Sequence, residues 1–168
     1  TNLSLAFDAF VAKINTNGGI LIYSTLLGGT NNEAGFRIAV DPAGSSYVTG
    51  SSQSPDFPNT ATNVASLRSG ITNSSSSNSD AFLTKLNPNG AALEYSARFG
   101  GTPNDVGWNV ALDPAGNAFV VGITASTNFP SFNTPGGLST TNSGGADVFV
   151  TAFNTNASAL LYSAHLGG

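Results

Sequence analysis

The sequence predicts an all-β chain built from tandem four-stranded antiparallel sheets, and three observations carry that prediction. The first is repetition. Residues 8–58 align without a gap on residues 80–130, an offset of 72, and 25 of the 51 positions are identical. A partial third copy follows at an offset of 67, where DVFVTAFN and LLYSAHLGG match DAFLTKLN and LEYSARFGG. Self-similarity at a fixed period marks one supersecondary unit that must stack on its neighbours to bury its apolar face. The second observation is that each unit holds four short β-branched and aromatic runs bounded by Gly and Pro. The third is that no apolar stripe of helical period and useful length occurs.

The elements follow in chain order. Residues 8–15 and 20–29 flank Asn17-Gly18 and form one hairpin. FRIAVD (36–41) leads through Asp-Pro-Ala-Gly into SYVTG (46–50), and WNVALD (108–113) leads in the same way into AFVVG (118–122). In both turns proline presets φ, Gly44 and Gly116 can adopt the left-handed conformation, and Asp41 and Asp113 can accept backbone N–H groups. DAFLTKLN (80–87) and 92–101 flank Pro-Asn-Gly as the second hairpin of a unit. Aromatics recur at matched sites: Phe10, Phe82 and Phe149; Tyr23, Tyr95 and Tyr162; Phe57 and Phe129, each before a proline. These are the expected core. Trp108 matches Phe36 and reads as core too.

Two hairpins per unit make the four-stranded blade of a β-propeller. The linked motifs DAFVAKIN, YSTLLGG, NNEAG, IAVDPAGSSYVTG and SSQSPDFP, with a second set shifted by 72, resemble the SBBP-type bacterial beta-propeller repeat family. The resemblance implies propeller-type blades in large secreted or surface-exposed proteins, and no fixed catalytic activity. The chain divides into an N-terminal strand or arm (1–7), a half-blade (8–35) and two blades (36–101 and 102–168). Ser/Thr/Asn-rich inserts occupy 53–79 and 125–146. About two and a half blades fall short of the 4–8 of a closed propeller, so the expectation is a sheet array not closed within this chain.

Composition narrows the function. Only 8% of the residues are charged and the net charge is −4, against about 25% charged in ordinary domains. No basic face exists to neutralise phosphates, so nucleic acid is an unsuited partner. There is no Cys, hence no disulfide or thiolate site, and no apolar run long enough to cross a bilayer as a helix. The absence of Met and the abrupt TNLSLAF start read as a processed chain or a piece of a longer one. Few charges and no thiols suit an extracellular or cell-surface location.

Candidate chemistry is sparse. Glu33 and Asp105, with Asn32 and Asn104 beside them, are oxygen donors of the type that calcium takes, but no EF-hand-like run holds them. His165 is the sole histidine; Leu26 and Arg98 hold its place in the other copies, so it reads as a solvated strand residue. No catalytic set emerges. Asn2, Asn73 and Asn156 head glycosylation sequons. The expectation is a non-enzymatic extracellular structural repeat protein, a self-assembling subunit of a cell-surface filament or layer with an adhesive role. Association would use open sheet edges and residues 1–7 as a donated strand. The alternative is a glycan- or protein-binding module, a fragment of a larger secreted β-propeller.

Overall fold

The computed structural model describes residues 6–60, 78–133, 136, 139, 141–142 and 144–167. Residues 1–5 of the expected arm, most of the first insert, Asn2 and Asn73 lie outside the described residues. Ten strands form three antiparallel sheets. The first is the hairpin β1 (Ala9–Ile14) and β2 (Leu21–Leu27). The second runs in the order β3 (Glu33–Val40), β4 (Ser46–Ser52), β5 (Asp80–Leu86) and β6 (Leu93–Phe99). The third repeats it with β7 (Asp105–Leu112), β8 (Ala118–Thr124), β9 (Asp147–Phe153) and β10 (Leu160–Leu166). No sheet closes on itself. The arrangement is half a blade followed by two complete ones.

Turn chemistry fixes the hairpins. The Gly44 N–H donates to the Asp41 carbonyl at 2.9 Å, and the Ser45 N–H donates to Asp41 Oδ1 at 2.9 Å. Gly116 and Asn117 do the same to Asp113 at 3.0 and 2.8 Å. Both glycines have positive φ, +89° and +85°, which a side chain would strain.

The sheets stack face to face, and the packing is the same at both seams. One face of β1–β2, carrying Ala9, Val11 and Leu27, meets Phe82, Leu86 and Phe57 of the second sheet. The opposite face of that second sheet, with Leu83, Ala97 and Phe99, meets Val120, Phe149 and Phe153 of the third. Phe99 lies 5.2–6.2 Å from the rings of Phe129, Phe149 and Phe153. The phenylalanine of each Phe-Pro tail plugs its own blade: Phe57 sits 4.8 Å from Phe82 and Phe129 sits 4.5 Å from Phe149.

Several sequence expectations need correction. Phe10 is 69% exposed although Phe82 and Phe149 are fully buried. The described residues provide no Phe-Pro tail against β1, so the plug that covers its two counterparts is missing there. Tyr95 is buried between sheets, whereas Tyr23 and Tyr162 are half-buried. His165 is buried, not solvated, with its ring 5.5 Å from Phe129. Trp108 is 48% exposed rather than core, because it occupies a β-bulge. The pairing slips between Gly107 and Asn109, as it does between Gly35 and Arg37, and a bulge re-aims the extra side chain. Gly50 and Gly122 stand opposite these bulges, where a Cβ would collide with the carbonyl oxygens of Ala34 and Val106.

The tails also shield outer edges. Thr60 hydrogen-bonds across β6 at Ser96, while Phe132 and Ser139 form bridges to Ser163 and His165 of β10. An outer edge so occupied is closed to further strand pairing.

Candidate functional site

The residues that sequence reasoning singled out as calcium ligands fall at the two seams, in separate but equivalent places. Each carboxylate stands at the start of a blade's first strand and reaches back to the Gly-Gly that ends the preceding sheet. Glu33 accepts from the Gly29 N–H at 2.9 Å, from Ser52 Oγ at 2.8 Å and from the Ser54 N–H at 3.2 Å. Asp105 accepts from the Gly101 N–H at 2.6 Å and from Ser126 Oγ at 2.8 Å. Beside them, Asn32 Oδ1 accepts the Phe7 N–H at 3.0 Å and Asn104 Oδ1 accepts the Ser79 N–H at 2.9 Å. Phe7 and Ser79 also accept through their carbonyls from the N–H groups of Glu33 and Asp105. Residue 7 is thereby fixed within its own chain.

Apart from Asp105 Oδ1, the side-chain oxygens named here are engaged by protein donors. Among the described residues no three acidic or histidine side chains converge to hold a metal ion. The arrangement works as a latch: one acid joins three strands of two successive blades. A second tie repeats beside it. Thr30 donates its N–H to Asp56 at 2.9 Å, and Thr102 donates its N–H to Asn128 at 2.8 Å, which pins each Phe-Pro tail to the preceding Gly-Gly-Thr loop.

A buried ion pair lies beside Phe82, on the face of the second sheet that meets the β1–β2 hairpin. Arg98 Nε lies 3.3 Å from Asp80 Oδ2, and its Nη1 donates to the Ser54 carbonyl. Asp80 and Asp105 are both fully buried, and their carboxylates close around Gly100, leaving no space for a Cβ. Burial pushes the Asp105 carboxyl above the usual aspartate range, against the hydrogen bonds from Thr124, Gly101 and Ser126. One of its oxygens, Oδ1, has no hydrogen-bond partner. His165 takes the place of Arg98 in the last blade, and burial lowers its pKa against the pull of Asp147.

At the turn end of the second sheet, Lys85 bridges Glu94 at 2.8 Å and Asp41 at 3.5 Å. Burial opposes the Lys85 charge, but contacts with Glu94 and Tyr47 outweigh it and hold the ammonium above the usual lysine range. Asn156 lies exposed in the β9–β10 turn, its amide oxygen accepting from Ser158 Oγ at 2.7 Å.

Sequence reasoning missed one feature altogether. The two bulged aromatics, Phe36 and Trp108, lie side by side on the exposed face of β3 and β7 with ring centroids 4.5 Å apart. Next to them Arg37 Nε donates to Asn109 Oδ1 at 3.2 Å. The available signal was the glycine before each aromatic together with the glycine in the facing strand.

The stacked four-stranded sheets and the doubled latch agree with sequence comparison. A profile of the SBBP beta-propeller repeat matches residues 22–58 and 94–130. The chain carries two SBBP beta-propeller repeats. Each match starts in the outer strand of one sheet and ends at the Phe-Pro tail of the next, so the SBBP motif as matched spans a seam and contains its latch. The chain is also similar to the regulatory protein FlaEY of Caulobacter vibrioides, with 31% identity over 140 residues. That alignment covers 83% of this chain but 13% of the relative's length.

Proposed function

We propose that these SBBP repeats serve as a non-enzymatic structural unit of an extracellular or cell-surface protein, one that self-associates into a filament or layer with an adhesive role. The observation that carries this reading is the apolar surface of the β1–β2 hairpin. Phe10, Ile14, Leu21 and Leu26 are each at least 58% exposed there, and contiguous exposed apolar surface marks an interaction site. Low charge supports it, since little repulsion opposes close approach of copies. Association by donation of residues 1–7 is less favoured, because residue 7 is engaged within its own chain. Negative-stain electron microscopy of the purified chain tests the reading. Regular fibres or sheets are expected; a uniform particle of monomer size would refute it.

A second reading, a glycan-binding module, is favoured by the Phe36–Trp108 pair with Arg37 and Asn109 beside it. Aromatic faces take the C–H faces of sugars, and the flanking polar groups suit hydroxyls. Trp108 is the sole tryptophan, so its fluorescence reports on this site alone. Titration with chitohexaose and cellohexaose should shift the emission of the wild type but leave Asn109→Ala unmoved. No shift with either oligosaccharide would discard this reading.

A further inference from the structure

We infer that the ledge formed by Phe36, Arg37, Trp108 and Asn109 takes an acidic polysaccharide, the aromatic rings packing on a sugar ring while the Arg37 guanidinium binds a uronate carboxylate. This rests on the glycan-binding reading above and names its class of sugar.

The ledge is built across the seam between the two complete blades, so both of its halves belong to this chain. Phe36 and Arg37 stand on β3, and Trp108 and Asn109 stand at the matching positions of β7, 72 residues on. Both strands are the first of their sheets and are paired along one side by their own sheet. In each, the bulge carries the aromatic out of the strand's alternation and sets it beside the polar residue that follows. The rings of Phe36 and Trp108 tilt by 35° at a centroid separation of 4.5 Å and stay 41% and 48% exposed. An apolar platform fixed in this way by the backbone has little freedom to lose when a ligand packs on it.

The cation beside this platform lacks a counter-charge. All nine aspartates and glutamates of the chain are described residues, and none of them pairs with Arg37. The other charges are handled differently: Lys85 lies between Asp41 and Glu94, and Arg98 is buried against Asp80. Arg37 is exposed, and its Nε donates to Asn109 Oδ1 at 3.2 Å. That bond positions the guanidinium and leaves its terminal edge, Nη1 and Nη2, whose parallel N–H groups match the two oxygens of a carboxylate. Asn109 accepts through Oδ1 and keeps Nδ2 as a donor for a neighbouring hydroxyl. A carboxylate on a pyranose ring joins the two halves of the ledge, because its apolar ring face and its charge sit side by side. A nucleic acid does not suit the same place, since one arginine in a chain of net charge −4 cannot neutralise a run of phosphates.

Calorimetric titration of the whole chain with hexagalacturonate and with cellohexaose tests this. The wild type should bind the galacturonate about tenfold more tightly, the worth of one charge-assisted pair. That advantage should shrink in about 0.5 M sodium chloride, where an exposed ion pair is screened. Arg37→Gln is an exposed change whose fold circular dichroism checks, and it should bind both sugars with the weaker affinity. Trp108→Ala should lose both. Equal affinity of the wild type for the two sugars, or undiminished galacturonate binding by Arg37→Gln, would overturn the inference and leave the glycan-binding reading standing. Sulfated cellohexaose binding as tightly as hexagalacturonate would do the same, because charge alone would then suffice. Galacturonate binding that survives Trp108→Ala, or no binding of any of these sugars by the wild type, would overturn the inference together with the reading beneath it.

Discussion

Phe10, Phe82 and Phe149 occupy one repeat position in three surroundings, which makes their truncation to alanine a sharp test of how the blades are held. Phe82 and Phe149 are fully buried, each against a tail phenylalanine at 4.8 and 4.5 Å. Losing either ring forfeits about 2–3 kcal/mol of apolar burial. Incomplete collapse of the hole adds to this, for a total of ~3–5 kcal/mol. Phe10, at 69% exposure, has little burial to lose, and its truncation should fall within about 0.5 kcal/mol. The assay is urea unfolding of the three variants at a concentration where the protein is monomeric, followed by circular dichroism and Trp108 fluorescence together. Similar losses at all three positions would refute the argument, because the hairpin face would then be covered within the monomer. A small loss for Phe82→Ala would equally refute it, since the tail plug would then contribute nothing.

Other consequences follow from the seams. Asp105 has a raised pKa in the folded chain, so its favourable contribution is complete below its unfolded pKa and is lost as pH rises through the folded value. Asp105→Asn keeps an acceptor for the Gly101 N–H, and it should therefore be more stable than wild type at pH 7 with the gap closing in acid; thermal melts across pH would show it. Removing Arg98 leaves Asp80 buried without its cation, so Arg98→Leu should cost roughly 3–5 kcal/mol. Adding Asp80→Asn should recover part of that, a result denaturant titration of single and double variants can read. Gly50→Ala forces a methyl into the Ala34 carbonyl and should destabilise by ~1–3 kcal/mol or open the bulge, visible as a change in Trp108 emission.

Much of the scaffold was legible in the residues because local chemistry and repetition agreed. The Asp-Pro-Ala-Gly and Asn-Gly turns define hairpins wherever they stand, and the 72-residue offset says that those hairpins share one geometry. What repetition cannot convey is which copy has a neighbour. Phe10 carries the same identity as Phe82, yet the tail that buries a phenylalanine there comes from the strand pair preceding it. Trp108 misled for a different reason: a bulge breaks the two-residue alternation, so an aromatic in a strand run turns outward. The latch was visible as matched acids, Glu33 and Asp105, each four residues after a glycine. Its role was hidden because the partners Ser52 and Ser126 lie about twenty positions away and meet the acid only when two sheets stack. His165 looked solvated since Leu and Arg replace it, but Arg98 is itself buried at that position, tied to Asp80.

The central claim is that these sheets stack face to face and that the apolar surface of the β1–β2 hairpin supports self-association. Light scattering of the 168-residue chain over a wide concentration range, at low and high salt, measures its consequence most directly. The account predicts a mass that climbs with concentration and does not fall with added salt, because the contact is apolar. A mass fixed at the monomer value of 16.9 kDa at every concentration would contradict it.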